Sequence, residues 1–135
     1  MLLRELTDET VDALLATAGP QLDIPLIMTE VRLMGGALGR PAKVPNAVPG
    51  RSGAYSVLVL GPGVPELARV VPAIGKGVLA ALAPWKADES MINFLGDVAG
   101  PDEVAAAYPP ASRQRLREVK HGVDPAGVFS FGYAI

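Results

Sequence analysis

Ala54-Tyr55-Ser56-Val57-Leu58-Val59-Leu60, closed by Gly61-Pro62-Gly63, is the stretch on which the fold turns. A nearly continuous apolar run of this length, bounded by turn residues, suits a central strand covered on both faces. Upstream, Leu26 to Met34 reads as a second strand. Leu26, Met28, Glu30 and Arg32 share one face; Ile27, Thr29, Val31 and Leu33 share the other, and Gly35-Gly36 ends it. Gly39 to Gly53 lies between the two, with prolines at 41, 45 and 49. It is read as an ordered loop, because neither flank is long enough to fold alone. Ser90 to Leu95 is predicted as a third, short strand.

Helices are predicted around these strands. The first runs from about Thr7 to Ala18, with Thr7 as N-cap and Val11, Leu14, Leu15 and Ala18 on one face. A second follows Pro65 and carries the stripe Leu67, Val70, Val71, Ile74, Val78, Leu79 and Leu82. Pro72 lies inside it and should bend it or delay its true start. Pro101 to Tyr108 and Ser112 to about His121 complete the set, the latter with Leu116 and Val119 facing inward. Asp124-Pro125 makes a turn that tucks the aromatic anchor at Val128-Phe129 back onto the core, and Val128 to Ile135 is an apolar, aromatic tail. The order α-β-β-α-β-α-α predicts an α+β fold, a small mostly antiparallel sheet with helices packed on one face.

Composition narrows the chemistry. The chain has 135 residues, which fits one domain, 1–135. Half of them are hydrophobic and 19% are charged, which excludes intrinsic disorder. A formal net charge of −2 supplies no basic field for nucleic acid. The absence of cysteine removes disulfides, thiolate metal sites and a cysteine nucleophile. One histidine, His121, makes a multi-histidine metal centre and a Ser-His-Asp triad poor candidates. Arg4 and Glu5 follow the first three residues at once, so no signal-peptide core is expected, and no apolar run reaches membrane-spanning length. A cytoplasmic protein without membrane or nucleic-acid partners is the expectation. Arg113, Arg115, Arg117, Lys120 and His121 are read as a solvated basic helix face that complements the helix dipole.

The last third then shows a pattern. Met91-Ile92-Asn93-Phe94, Ala107-Tyr108, Arg115-Leu116, Val119-Lys120, Asp124-Pro125 and Val128-Phe129 follow one another in this order. The series resembles the berberine-like C-terminal segment of FAD-linked oxidases, the berberine bridge enzyme family, over about residues 89–131. Glu30-Val31-Arg32-Leu33-Met34-Gly35-Gly36-Ala37 is similar to the Gly-Gly strand of that family's substrate domain. Arg51-Ser52-Gly53-Ala54-Tyr55 is similar to the segment leading into its next strand. The resemblance spans about Leu6 to Phe129. It implies the substrate-side domain of an FAD-dependent oxidoreductase, which passes hydride from an alcohol, sugar or secondary metabolite to FAD. No FAD-binding domain is recognisable, and no strand-linked G-x-G-x-x-G occurs. The chain by itself is therefore expected to be inactive, and to need an FAD-domain-bearing chain or self-association.

The resemblance also implies a site. Asn93 and Phe94 would face the flavin; an amide that both donates and accepts suits the ring's carbonyl and N–H edge. Met91 stands where the family usually has tyrosine, and a methionine cannot transfer a proton. Glu30, Arg32 and Tyr55 are the catalytic candidates. A carboxylate such as Glu30 can act as general base in a suitable environment, but Arg32, two residues away on the same face, would hold it charged. The simpler reading of that pair is a half-exposed ion pair worth little, and of Tyr55 a ring packed at the rim. The competing function is a non-enzymatic α+β module that dimerises through its sheet and binds an apolar small molecule, because an uncovered sheet face needs a partner.

Overall fold

Three stretches pair into the sheet: Leu2–Leu3 (β1), Met28–Leu33 (β2) and Tyr55–Leu60 (β3). This is a computed structural model, and it describes residues 1–96 and 100–133. The strand order is β1-β3-β2 and both pairings are antiparallel, with Val31 opposite Val57, Arg32 opposite Ser56 and Leu3 opposite Tyr55. The run 55–60 is thus the central strand, as its apolar content predicts. The class is α+β, with a small antiparallel sheet.

Alternation along the strands sorts their side chains onto two faces. Leu3, Val31, Tyr55, Val57 and Val59 turn to one side, where they meet Ala13, Leu14 and Ala18 of α1 (Asp8–Ala18) and Ile74 and Val78 of α2 (Val70–Ala81), with Leu82 just beyond it. Leu3, Val57, Val78 and Leu82 are the buried centre of that cluster. Leu2, Met28, Glu30, Arg32, Ser56, Leu58 and Leu60 turn to the other side. Leu2 is buried there, but Met28, Arg32 and Leu60 are exposed. The expectation that the central strand is covered on both faces is therefore corrected: α1 and α2 cover one face only.

Local chemistry sets the helix ends. Thr7 caps α1 in a reciprocal box, its hydroxyl accepting from the Thr10 N–H while Thr10 Oγ1 accepts from the Thr7 N–H. Thr10 can play the part usual for Glu or Gln because it is fully buried beside Thr7. That burial rotates the helix. Ala13, Leu14 and Ala18 face the core, while Val11 and Leu15, both expected inside, are exposed. Pro65–Leu67 forms one 3-10 turn, and α2 starts only at Val70, with Pro72 in its first turn where a missing N–H is harmless. The delayed start follows the expectation for Pro72.

Three further sequence expectations are overturned. Ser90 to Leu95 is not a strand; Ile92–Phe94 is a 3-10 turn. The sheet edge beside β1 is not open to it. The outer side of β1 is closed by residues 85–87, with Arg4 N–H donating to Trp85 O at 2.9 Å and Ala87 N–H to Leu2 O at 2.9 Å. The Arg4 guanidinium ties the same segment through Lys86 O and Pro84 O. β1 itself is the third strand, and two residues are too few for a periodic signal. In the C-terminal part, Pro101–Ala106 (α3) and Pro110–Val123 (α4) form as helices. α4 buries no residue, however: Leu116 is half-buried and Val119 is exposed. The tail is not tucked in either, since Phe129 is 78% exposed and Phe131 fully so. Residues 134 and 135 lie outside the described residues.

Asp124 organises the turn that follows α4. Its carboxylate accepts from Lys120 Nζ at 2.7 Å and from the N–H groups of Val128 and Phe129 at 2.8 and 3.2 Å. The hydrogen bond from Lys120, helped by those two N–H groups, lowers its pKa below the usual aspartate value against a desolvation penalty. A carboxylate whose folded pKa is depressed stabilises the fold above its unfolded pKa and loses that contribution as pH falls through the folded value. The 124–129 turn should therefore hold at neutral pH and lose this support only in acid below the usual aspartate range. Hydrogen-exchange protection of the Val128 and Phe129 amides is the measurement. Protection that Asp124→Asn leaves intact at neutral pH would refute this role.

Candidate functional site

The candidate residues divide between the two faces of the sheet. Glu30 and Arg32, two apart on β2, stand on the face opposite α1 and α2. Arg32 Nη2 lies 2.8 Å from Glu30 Oε1 and 3.0 Å from Oε2, with the side chains 59% exposed for Arg32 and 32% for Glu30. Pairing at this exposure contributes little to stability. It does fix a carboxylate and a guanidinium side by side on an open surface, flanked by the apolar Met28, Leu58 and Leu60.

Across the ladder from Arg32 is Ser56. Ser56 lines a small cavity of about 20 Å³ together with Leu2, Met91 and Phe94. That volume holds about one water molecule. The 3-10 turn bearing Asn93 and Phe94 thus reaches the same side of the sheet as Glu30 and Arg32. It is held there by Gly50, which is buried against Met91 and Leu2 and whose N–H donates to Glu89 Oε2 at 2.8 Å. Asn93 itself is exposed, as is much of the Phe94 ring. In a strand, Asn93 and Phe94 would point to opposite sides; in the observed turn that opposition no longer applies.

Tyr55 is the exception. It starts β3 on the helix-covered face and packs its ring against the core cluster. The structure does not bring it together with Glu30 and Arg32. Its rank as a catalytic candidate came from its position at the strand start. The parity of the strand, fixed by the burial of Val57, turns it away.

No protein-family model matches this sequence, and no curated protein matches it.

Sequence reasoning missed a second concavity. An open cleft of about 400 Å³ lies between the Pro-rich loop and the start of α4, lined by Pro41, Pro45, Val48, Arg51, Pro109 and Ser112 among others. Its size falls within the range of small-molecule sites, about 300–1,000 Å³. Its one cation, Arg51, is already engaged. Arg51 donates to Leu38 O, Arg40 O and Asn46 Oδ1, at 3.0, 3.0 and 3.1 Å, and so braces the loop from inside. What remains for a ligand is mainly ring and methylene surface. The one signal in the sequence was the spacing of prolines, which marked the loop as ordered but not as concave.

Among the described residues no three His, Cys, Asp or Glu side chains converge as a metal site. None of the described helices is long and apolar enough to cross a membrane.

The surface as a whole is larger than a free monomer of this mass requires. Its accessible area is 9109 Å² at 14.0 kDa, whereas a compact monomer would expose about 6,700 Å². The extended tail accounts for part of the surplus of about 2,400 Å². The uncovered sheet face and the exposed Leu15, Ile27, Leu33 and Val44 belong to it as well.

Proposed function

We propose that this chain is the substrate-side portion of an FAD-dependent oxidoreductase, in which its uncovered sheet face closes over a flavin held by another domain or chain. The observation that carries the reading is that Glu30 and Arg32 share the sheet face opposite α1 and α2 with Ser56, whose small cavity Phe94 also lines. In such an enzyme the flavin accepts the hydride. The residues here would position the substrate: Arg32 and Glu30 as a hydrogen-bonding pair for hydroxyl groups, Phe94 as a wall beside the ring, Asn93 as a partner for its polar edge. A cytoplasmic location and a small hydroxylated substrate belong to the same proposal. Alone, the chain supplies no cradle for the cofactor's phosphates and should not retain FAD through desalting.

The test is an NMR titration of the full chain with FMN, which presents the same ring. Weak binding, about millimolar, is expected because most of the site's surface is missing. Shifts should cluster at residues 30, 32, 56 and 91–94, and Asn93→Ala should diminish them. Shifts confined to the helix side, or none at all, would sink the proposal. The second reading, a non-enzymatic module that dimerises through its sheet and holds an apolar small molecule, is favoured by the Pro-lined cleft. It predicts instead that an apolar probe such as anilinonaphthalene sulfonate shifts residues 41–51, 109 and 112.

A further inference from the structure

β2 is an edge strand. Its register against β3 is continuous from Met28 to Leu33, and β1 lies on the far side of β3. Which of its backbone groups remain free follows from the ladder. Met1 and Val57 exchange both hydrogen bonds, at 3.0 and 2.8 Å, so Val57 directs its polar groups toward β1. Ser56 and Leu58, one step on either side, direct theirs toward β2, where they oppose Arg32 and Glu30. By alternation the N–H and C=O groups of Thr29, Val31 and Leu33 point outward from the free edge.

That edge carries few of the usual defences against pairing. Within 28–33 there is no proline and no lysine, and its two charges neutralise each other. The side chains flanking it are apolar and exposed, Leu33 at 74% and Ile27 at 66%. Its sequence is also self-complementary. If two copies meet antiparallel about a two-fold axis through Val31, Val31 opposes Val31, Thr29 opposes Leu33, and Met28 opposes Met34. Glu30 then opposes Arg32 of the other copy, twice. Because Val31 is one of the outward-pointing residues, this centring forms hydrogen-bonded pairs at 29, 31 and 33 rather than juxtaposing groups already used by β3. Opposite charges directly across a ladder are favourable and like charges are not.

We propose that the chain associates with a second copy of itself through β2, forming a continuous six-stranded antiparallel sheet with its two-fold axis at Val31. The closed, isologous pairing uses the same patch on both copies. Ile27 and Leu33, 66% and 74% exposed, flank the edge and would be partly covered in the pair. This pairing uses the edge of the sheet rather than its face, and it stands or falls independently of the flavin reading.

Analytical ultracentrifugation of the full chain over a concentration series is the first test, and a dimer is the expected result. Glu30→Arg and Arg32→Glu each place like charges opposite one another twice, and each should weaken self-association by at least about tenfold. Both positions are exposed enough for the variants to fold, which circular dichroism verifies. Mixed in equal amounts, the two variants should recover a heterodimer, because arginines of one copy then face glutamates of the other. A chain that stays monomeric at high concentration overturns the proposal. So does either variant dimerising as tightly as the native chain, or a mixture of two folded variants that remains monomeric.

Discussion

Leu3→Ala is expected to destabilise the chain by about 3 kcal/mol, the range for truncating a fully buried leucine. Leu3 has no exposed surface and sits in the centre of the cluster with Val57, Val78 and Leu82. The removed methyl groups leave a void between the sheet and α2, and the neighbours cannot close it without breaking the pairing of β1 to β3 on one side and to residue 86 on the other. Against a total stability of about 5–15 kcal/mol, this is a large fraction. Thermal melting should fall by about 10 °C. Leu2→Ala should have a comparable cost by a different route, since Leu2 fills the opposite face against Gly50 and Gly53. A loss under about 1 kcal/mol for Leu3→Ala would show that β1 is not seated between β3 and residues 85–87.

The same two residues show where sequence reasoning stops. The 55–60 strand was legible because six consecutive positions had to be buried or paired, and its central place followed from its apolar content. β2 was legible from alternation. α1 and α2 were legible from caps and periodicity, including the delayed start caused by Pro72. β1 offered two leucines and no period; its existence depends on Arg4, Trp85 and Ala87, which lie about eighty residues apart along the chain. In α1 the buried Thr10, its hydroxyl committed to the cap, stands inside while Val11 and Leu15 of the apolar stripe are exposed. Phe129 was assigned to the core on its chemistry alone, yet the Asp124 turn that holds its N–H leaves the ring outside.

The candidate site divides in the same way. Glu30 and Arg32 shared a face by simple alternation, and they do so in the structure. Tyr55 was placed by proximity in sequence, and strand parity turns it into the core. Asn93 and Phe94 were placed on a strand that does not form, the β1 side of the sheet being taken by residues 85–87. They still reach the open face because the Gly50 backbone and Leu2 support Met91 from below. Long-range packing of that kind has no signature in a local stretch of sequence.

That support makes the second large prediction. Gly50→Ala should cost about 2–5 kcal/mol, from two sources that add. Gly50 has φ +82°, in the left-handed region, which costs a side-chain-bearing residue about 1–2 kcal/mol. Its Cβ would also stand 2.8 Å from Met91 Cγ and 2.9 Å from Leu2 Cδ1, an overpacking that costs about 1–3 kcal/mol. Leu2 is fixed in the sheet, so the Met91 side is the one that yields. The Gly50–Glu89 hydrogen bond and the turn carrying Asn93 and Phe94 should move with it. Two measurements separate this from general destabilisation. Urea unfolding should show the loss for Gly50→Ala and not for Gly63→Ala, where a Cβ meets nothing within 4 Å and φ is not positive. At temperatures where the Gly50→Ala chain is still folded, FMN should no longer shift the amides of residues 91–94 while those of 30 and 32 still respond. Unchanged stability would mean that the 50–53 loop does not support the turn. Unchanged FMN shifts in a destabilised variant would mean that Asn93 and Phe94 hold their places without it.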